Sequence, residues 1–129
     1  IPMGAYLREL YGDELVVVGF AFNRGSFLAI GFTARTNSTL GYGVYNLPGP
    51  LPGSHEEYFA TASLPRLMLD LRLVQDTPQL ADWFRQPRWM TVFGLGYVTD
   101  DPQGNASRII LPDAFDILIY FQTTTAAER

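Results

Sequence analysis

The chain carries no cysteine and no lysine, and it has a single histidine, His55. Without cysteine there is no disulfide, no thiolate metal site and no cysteine nucleophile, and the absence fits either redox environment. With one histidine, any imidazole base or imidazole-bound metal built by this chain alone has to use His55. Its 9 basic residues, all arginine, stand against 13 acidic ones, for a net charge of -4, and they form no basic cluster. A phosphate backbone would find little to neutralise, so nucleic acid is not an expected partner. No apolar run approaches the ~18 residues of a membrane span, and no membrane partner is expected. Localisation stays open, with the cytoplasm favoured.

What the chain has in quantity is apolar and aromatic side chains, 47% and 14% of its 129 residues, enough for a buried core in one domain. It opens Ile1-Pro2-Met3 and enters a helical pattern at once, as expected of a piece of a larger domain cut just before a helix. Met3, Tyr6, Leu7, Leu10 and Tyr11 recur at three- and four-residue steps with Arg8 and Glu9 opposite, which predicts an amphipathic helix with Pro2 in its first turn and Gly12 at its end.

The strongest signal follows. Leu15 to Phe20 is apolar without polar alternation and rich in valine, as expected of a central strand covered on both faces. Phe27 to Phe32 reads as a second strand. Asn23-Arg24-Gly25-Ser26 between them has the length and the glycine of a hairpin turn.

Thr33 to Gly53 turns polar, glycine-rich and then proline-rich, with one short strand near Val44-Tyr45. It is either a disordered connector or a loop that covers a pocket. Ser54-His55-Glu56-Glu57 is a capping box in which Ser54 and Glu57 each satisfy the other's backbone N–H, ahead of a helix through Ala62. Leu67 to Leu71 predicts a buried strand, and Thr77-Pro78 caps a short helix through Phe84. Trp89 to Val98, broken by Gly94 and Gly96, predicts an irregular strand pair or a bulged strand. A turn at 100–104, a short strand at 109–111, a strong strand over 115–121 and a fraying tail from Thr123 to Arg129 complete the chain. The pattern is α/β: a layered fold with a mostly parallel or mixed central sheet and flanking helices.

Few residues stand out chemically. His55, next to a capping serine, reads as a solvent-exposed residue of the helix start, and the helix dipole accounts for Glu56 and Glu57 beside it. The turn at 23–26 offers an amide, a guanidinium and a hydroxyl able to hold a carboxylate, a phosphate or a sugar hydroxyl. If a strand upstream of the chain runs parallel to Leu15–Phe20, this turn lies on the sheet edge where ligands bind in α/β folds. Phe22, Asn23, Arg24 and Ser26 are therefore the expected substrate-binding residues. Asp70 and Arg72 read as a structural ion pair or exposed side chains before a ligand site. Asp100 and Asp101 fall short of the six oxygens calcium wants. Asn37-Ser38-Thr39 and Asn105-Ala106-Ser107 match the glycosylation pattern by chance, and Trp83 and Trp89 read as core or interface. No metal or cofactor is expected.

Met3-Gly4-Ala5-Tyr6-Leu7-Arg8, Gly19-Phe20-Ala21-Phe22 and Gly25-Ser26-Phe27 together resemble the C-terminal part of the erythromycin esterase family, including relatives labelled succinoglycan biosynthesis proteins. Pro52-Gly53-Ser54 with Glu57, Leu69-Asp70-Leu71-Arg72, and Phe115-Asp116 through Thr123-Thr124-Thr125-Ala126 follow in the expected order. The resemblance implies an α/β hydrolase that opens a carboxylic ester or macrolide lactone with an activated water. It also implies that the catalytic His and Glu lie in motifs upstream of residue 1, so no catalytic residue is assigned within 1–129. The expected partners are a small ester or lactone and the upstream part of the same protein. The alternative is a binding module without chemistry that completes a sheet with another chain.

Overall fold

One strand takes in the apolar run at 27–32 and the last three residues, 18–20, of the run at 15–20. The computed structural model describes residues 3–92 and 94–128. In chain order its helices and strands are α1 (Met3–Tyr11), β1 (Val18–Thr33), β2 (Ser38–Leu47), α2 (His55–Ala60), β3 (Arg66–Asp70), α3 (Pro78–Phe84), β4 (Arg88–Thr91), β5 (Gly96–Val98), β6 (Ala106–Ile109), α4 (Leu111–Ala114) and β7 (Ile117–Thr124). Pro2, Phe93 and Arg129, on which the expectations for the first turn, the bulged strand and the tail partly rest, lie outside the described residues.

β1 passes through Asn23-Arg24-Gly25-Ser26 without reversing, so the hairpin turn expected there is corrected to mid-strand. Gly25 takes φ 132°, and a Cβ on it would stand 2.0 Å from the Thr124 carbonyl oxygen. The glycine that resembles a turn residue is there for the close approach of two backbones.

The main sheet has five strands, ordered β2-β1-β7-β3 with β5 joined to β1. β1 and β7 run parallel from Val18 opposite Ile117 to Gly25 opposite Thr124. β2 pairs antiparallel with the other half of β1, Gly25 to Thr33, and β5 joins that half in parallel at Ile30–Phe32. β3 is antiparallel to β7, which makes the sheet mixed, and β4 pairs with β6 in a separate two-stranded ribbon. The fold is α/β. The expected fraying tail is also corrected in part, since Thr123 and Thr124 extend β7 beside Arg24 and Gly25.

One face of the β1–β7–β3 sheet carries the core. Ala21, Leu118 and Tyr120 pack there with Phe59 of α2, Leu71, Phe84 of α3, Met90 of β4 and Leu111 of α4. Gly19 belongs to the same face because a Cβ would stand 2.5 Å from the Phe115 ring. The other face does not match the expectation of a strand covered on both sides. Val18 and Phe20 are exposed, Val16 precedes the strand and is exposed too, and α1 buries none of its residues. Among the described residues nothing is layered over that face.

The 33–53 excursion is mostly ordered. Ten residues of it form β2, longer than the short strand expected, and residues 47–52 line a cavity of about 590 Å³ with Thr91, Tyr97 and Asn105. No helix among the described residues is long and apolar enough to cross a membrane.

Candidate functional site

The parallel pairing of β1 and β7 ends at Arg24–Gly25 and Thr123–Thr124, in mid-strand for β1 and at the carboxyl end of β7. Backbone alternation sends successive side chains of a strand to opposite faces, so the expected binding residues separate. Asn23 is buried and follows Ala21 on the covered face, whereas Arg24 is exposed and Phe22 is half-buried, its ring 5.9 Å from that of Phe27. Ser26 lies beyond the Gly25 irregularity and its Oγ accepts the Ala126 N–H at 3.0 Å, which ties the strand after β7 back to β1.

α2 packs its first turn against this end of the sheet. Ser54 Oγ accepts the Glu57 N–H at 3.2 Å, as the capping pattern predicts, while the Glu57 carboxylate takes the Gly53 N–H at 2.6 Å in place of that of Ser54. The cap turns His55 and Glu56 inward, so both expectations of solvent exposure are corrected: the two residues are 0% and 1% exposed. His55 Nε2 lies 2.9 Å from the Ile109 carbonyl, a geometry that makes Nε2 the protonated nitrogen. Its ring stacks on Phe59 and meets Trp83 edge-on. Burial pushes the imidazole pKa below its ordinary value, against the Ile109 bond, so the ring is held neutral.

Glu56 is the unusual group. Its Oε1 accepts the Thr91 N–H at 2.8 Å, and its Oε2 is buried without a partner. Burial raises its pKa, with the backbone bonds opposing, which favours the protonated acid. Tyr120, fully buried on β7, donates its hydroxyl to Gln122 Oε1 at 2.6 Å. Burial first and the Glu56 charge second raise the Tyr120 pKa, while Arg24 pulls it down, so one hydroxyl feels both charges. Asn23 Oδ1 is also buried without a donor. His55 Nδ1 is a third such atom, and leaving a buried acceptor unpaired costs on the order of 1–3 kcal/mol, so the three call for a function or an absent donor.

Asn23, Tyr120 and Gln122 thus lie on the covered face where the parallel pairing of β1 and β7 ends, with the Glu56 charge felt at Tyr120, while Arg24 lies on the opposite face of β1. These residues can offer a neutral acid, a carbonyl acceptor and a guanidinium. Sequence reasoning found Asn23 and Arg24 and missed Glu56, Tyr120 and Gln122. The signal for Glu56 was an acid beside a capping serine, which reads the same whether the helix turns it inward or outward.

The remaining candidates are occupied structurally. Arg72 donates Nε and Nη2 to the two Asp70 oxygens at 2.9 and 2.7 Å, an ion pair as expected. Asp100 accepts the N–H groups of Ala34 and Arg35 and so pins the β1–β2 turn, and Asp101 accepts that of Gln103. Asn105 is buried, exchanging hydrogen bonds with the backbone of Val98. The Arg88 guanidinium sits 3.7 Å above the Trp83 ring, and Arg108 lies over Trp89. Among the described residues no group of three or more His, Asp or Glu side chains is placed to hold a metal ion.

The fold recurs in two solved structures. One is a Bacillus cereus protein, 23% identical, with TM-score 0.72 over 95% of this chain and 28% of that one. The other is described as a succinoglycan biosynthesis protein, 18% identical, with TM-score 0.76 over 97% of this chain and 28% of that one. The chain therefore spans little more than a quarter of each. No curated protein matches it. The family model for erythromycin esterase matches residues 1–124, nearly the whole chain, and on that match the chain belongs to the erythromycin esterase family.

Proposed function

We propose that residues 1–129 are the C-terminal portion of a hydrolase of the erythromycin esterase type, which opens a carboxylic ester or macrolide lactone with an activated water. The observation that carries this reading is the family match over residues 1–124, joined by the unpartnered buried acceptors Asn23 Oδ1 and Glu56 Oε2 beside the β1–β7 pair. The portion supplies sheet and one wall of the cleft. Arg24 is exposed where the β1–β7 pairing ends and holds a substrate carbonyl or carboxylate; the Asn23 carbonyl accepts a substrate hydroxyl, and Phe22 and Ser26 shape the wall. The base that activates water lies outside the portion. The one imidazole here donates its Nε2 proton to the Ile109 carbonyl, which leaves Nδ1 the basic nitrogen, and that atom is buried without a partner in a side chain 0% exposed, away from solvent water.

Steady-state hydrolysis of simple carboxylic esters and of a macrolide lactone by the complete protein tests the proposal. Asn23→Ala and Arg24→Ala should raise KM more than they lower kcat, as expected for binding residues. Absence of any ester hydrolysis by the complete protein would overturn it. So would hydrolysis by residues 1–129 alone that is lost in His55→Ala.

A further inference from the structure

We propose that the cleft of about 590 Å³ beside the proline-rich segment is a binding site for an uncharged, predominantly apolar small molecule. The site itself does not depend on the hydrolase reading; that its ligand is the body of an ester does rest on that reading.

The lining sets the chemistry. Residues 46–52 come from the end of β2 and the segment after it, and Thr91, Tyr97, Thr99, Pro102 and Asn105 come from β4, β5 and the stretch between β5 and β6. None of the described residues that line the cleft is charged, and Leu47 and Tyr97 among them are buried. An ion brought into such surroundings loses water and finds no opposite charge, which is costly. Pro48, Pro50 and Pro52 have no N–H, so the backbone there accepts hydrogen bonds and donates none, which weighs further against a carboxylate. An ammonium would meet carbonyls but no carboxylate to pair with. The volume lies within the roughly 300–1,000 Å³ of small-molecule sites.

The walls are fixed by bonds of their own. Buried Asn105 accepts the Val98 N–H and donates to the Val98 carbonyl, both at 2.7 Å, and its backbone carbonyl takes the Val92 N–H at 2.8 Å. The proline-rich segment is tied down where the Leu51 carbonyl accepts the Ser54 N–H at 3.1 Å, just ahead of α2. Within it three prolines hold φ. Little conformational freedom is left to lose on binding, a cost that flexible loops bear. The excursion that reads from sequence as either a disordered connector or a loop over a pocket thus supplies one side of a cavity.

Register joins the cleft to the residues expected to bind substrate. Leu47 stands opposite Gly25 and Asn46 opposite Ser26 in the β1–β2 pairing. Leu47 and Tyr97 also share one apolar cluster with Phe22 and Phe27, in which the Phe27 ring lies 5.9 Å from that of Phe22 and 5.0 Å from that of Tyr97. The cleft therefore begins one strand away from Arg24. Under the hydrolase reading it takes the apolar body of an ester whose polar end reaches Arg24.

Binding of three matched probes to the complete protein, followed by naphthyl fluorescence, tests this: naphthyl butyl ether, naphthyloxybutanoate and naphthyloxypropylammonium, which share a skeleton and differ in the charge at its end. The uncharged ether should bind about 10-fold or more tightly than either ion. Gly49 lines the cleft, has open space where a Cβ would stand and has no positive φ, so a side chain placed there adds bulk without backbone strain. Gly49→Trp should therefore weaken the uncharged ether about 10-fold at an unchanged melting temperature. Asn46 is an exposed lining residue on β2, and Asn46→Arg should tighten the butanoate and loosen the propylammonium, which keeps the test open should Gly49→Trp fail to fold. Equal binding of the three probes, no binding of the uncharged ether, or binding indifferent to the variants would overturn the proposal. A complete protein that binds as expected and hydrolyses no ester keeps the cleft and loses the hydrolase reading, whereas one that hydrolyses esters and binds no uncharged ether keeps the hydrolase reading and loses the cleft.

Discussion

The two faces of the main sheet are made of the same residue types and have opposite fates. On one, Leu118 and Tyr120 are 0% exposed beneath α2, α3 and α4; on the other, one residue along in each strand, Phe20 and Met68 stand two-thirds exposed. Composition does not separate them. The covered face places small residues, Gly19 and Ala21, where Phe115 and the core press against β1, and the uncovered face places large ones where nothing presses back. A large apolar side chain is a demand for a neighbour, and at Phe20 the demand is unmet among the described residues.

The largest expected effect contrasts the faces directly. Tyr120→Ala should cost about 3–5 kcal/mol in denaturant unfolding, the usual loss for deleting a buried aromatic. Phe20→Ala in the same chain should stay within about 0.5 kcal/mol, as for an ordinary surface substitution. Equal losses would erase the distinction between the faces.

Gly25→Ala comes next, at about 2 kcal/mol or more, since it combines φ 132° with a 2.0 Å approach to Thr124. A wild-type unfolding midpoint in that variant would mean that the strand irregularity is soft. Ser54→Ala should cost about 1 kcal/mol through loss of the Glu57 N–H bond, with turnover of the complete protein retained. A large loss of turnover at normal stability would move Ser54 into the catalytic machinery.

The smallest effect is a slope. His55 has a lowered folded pKa, so below the ordinary 6.5 the unfolded chain binds a proton the folded one refuses, and stability is lost as pH falls from 6.5 toward that lowered value. Glu56 has a raised folded pKa, so its effect runs the other way: stability is lost as pH rises from the ordinary 4.5 toward the raised value. The two oppose each other between 4.5 and 6.5. Glu56→Gln should therefore make stability rise more steeply with pH across that window, as read from denaturation midpoints. An unchanged slope would show that Glu56 is not buried in solution.

The strands, the helix starts and their order were legible in the sequence because each is a local matter. Ser54 capped α2 as patterned, the stretch around Leu67–Leu71 became β3, and the 115–121 run became β7. The family was legible through short motifs in the right order. The turn at 23–26 was misread because glycine serves both tight reversal and close approach, and the choice depends on Thr124, a hundred residues away. His55 and Glu56 were misread because a helix's first turn fixes spacing along the axis and leaves its rotation to packing.

By itself, then, the sequence determined the α/β class, the apolar runs that become the sheet, and the chemistry this chain lacks: thiolate, a second imidazole, a basic surface. Only the tertiary structure decided that one strand runs through both apolar runs, that Asn23, His55 and Glu56 are buried with unpartnered atoms, and which sheet face is covered. The reason is that hydrogen-bond periodicity and side-chain alternation act over a few residues, whereas register, rotation and coverage are set by contacts between residues far apart in the chain.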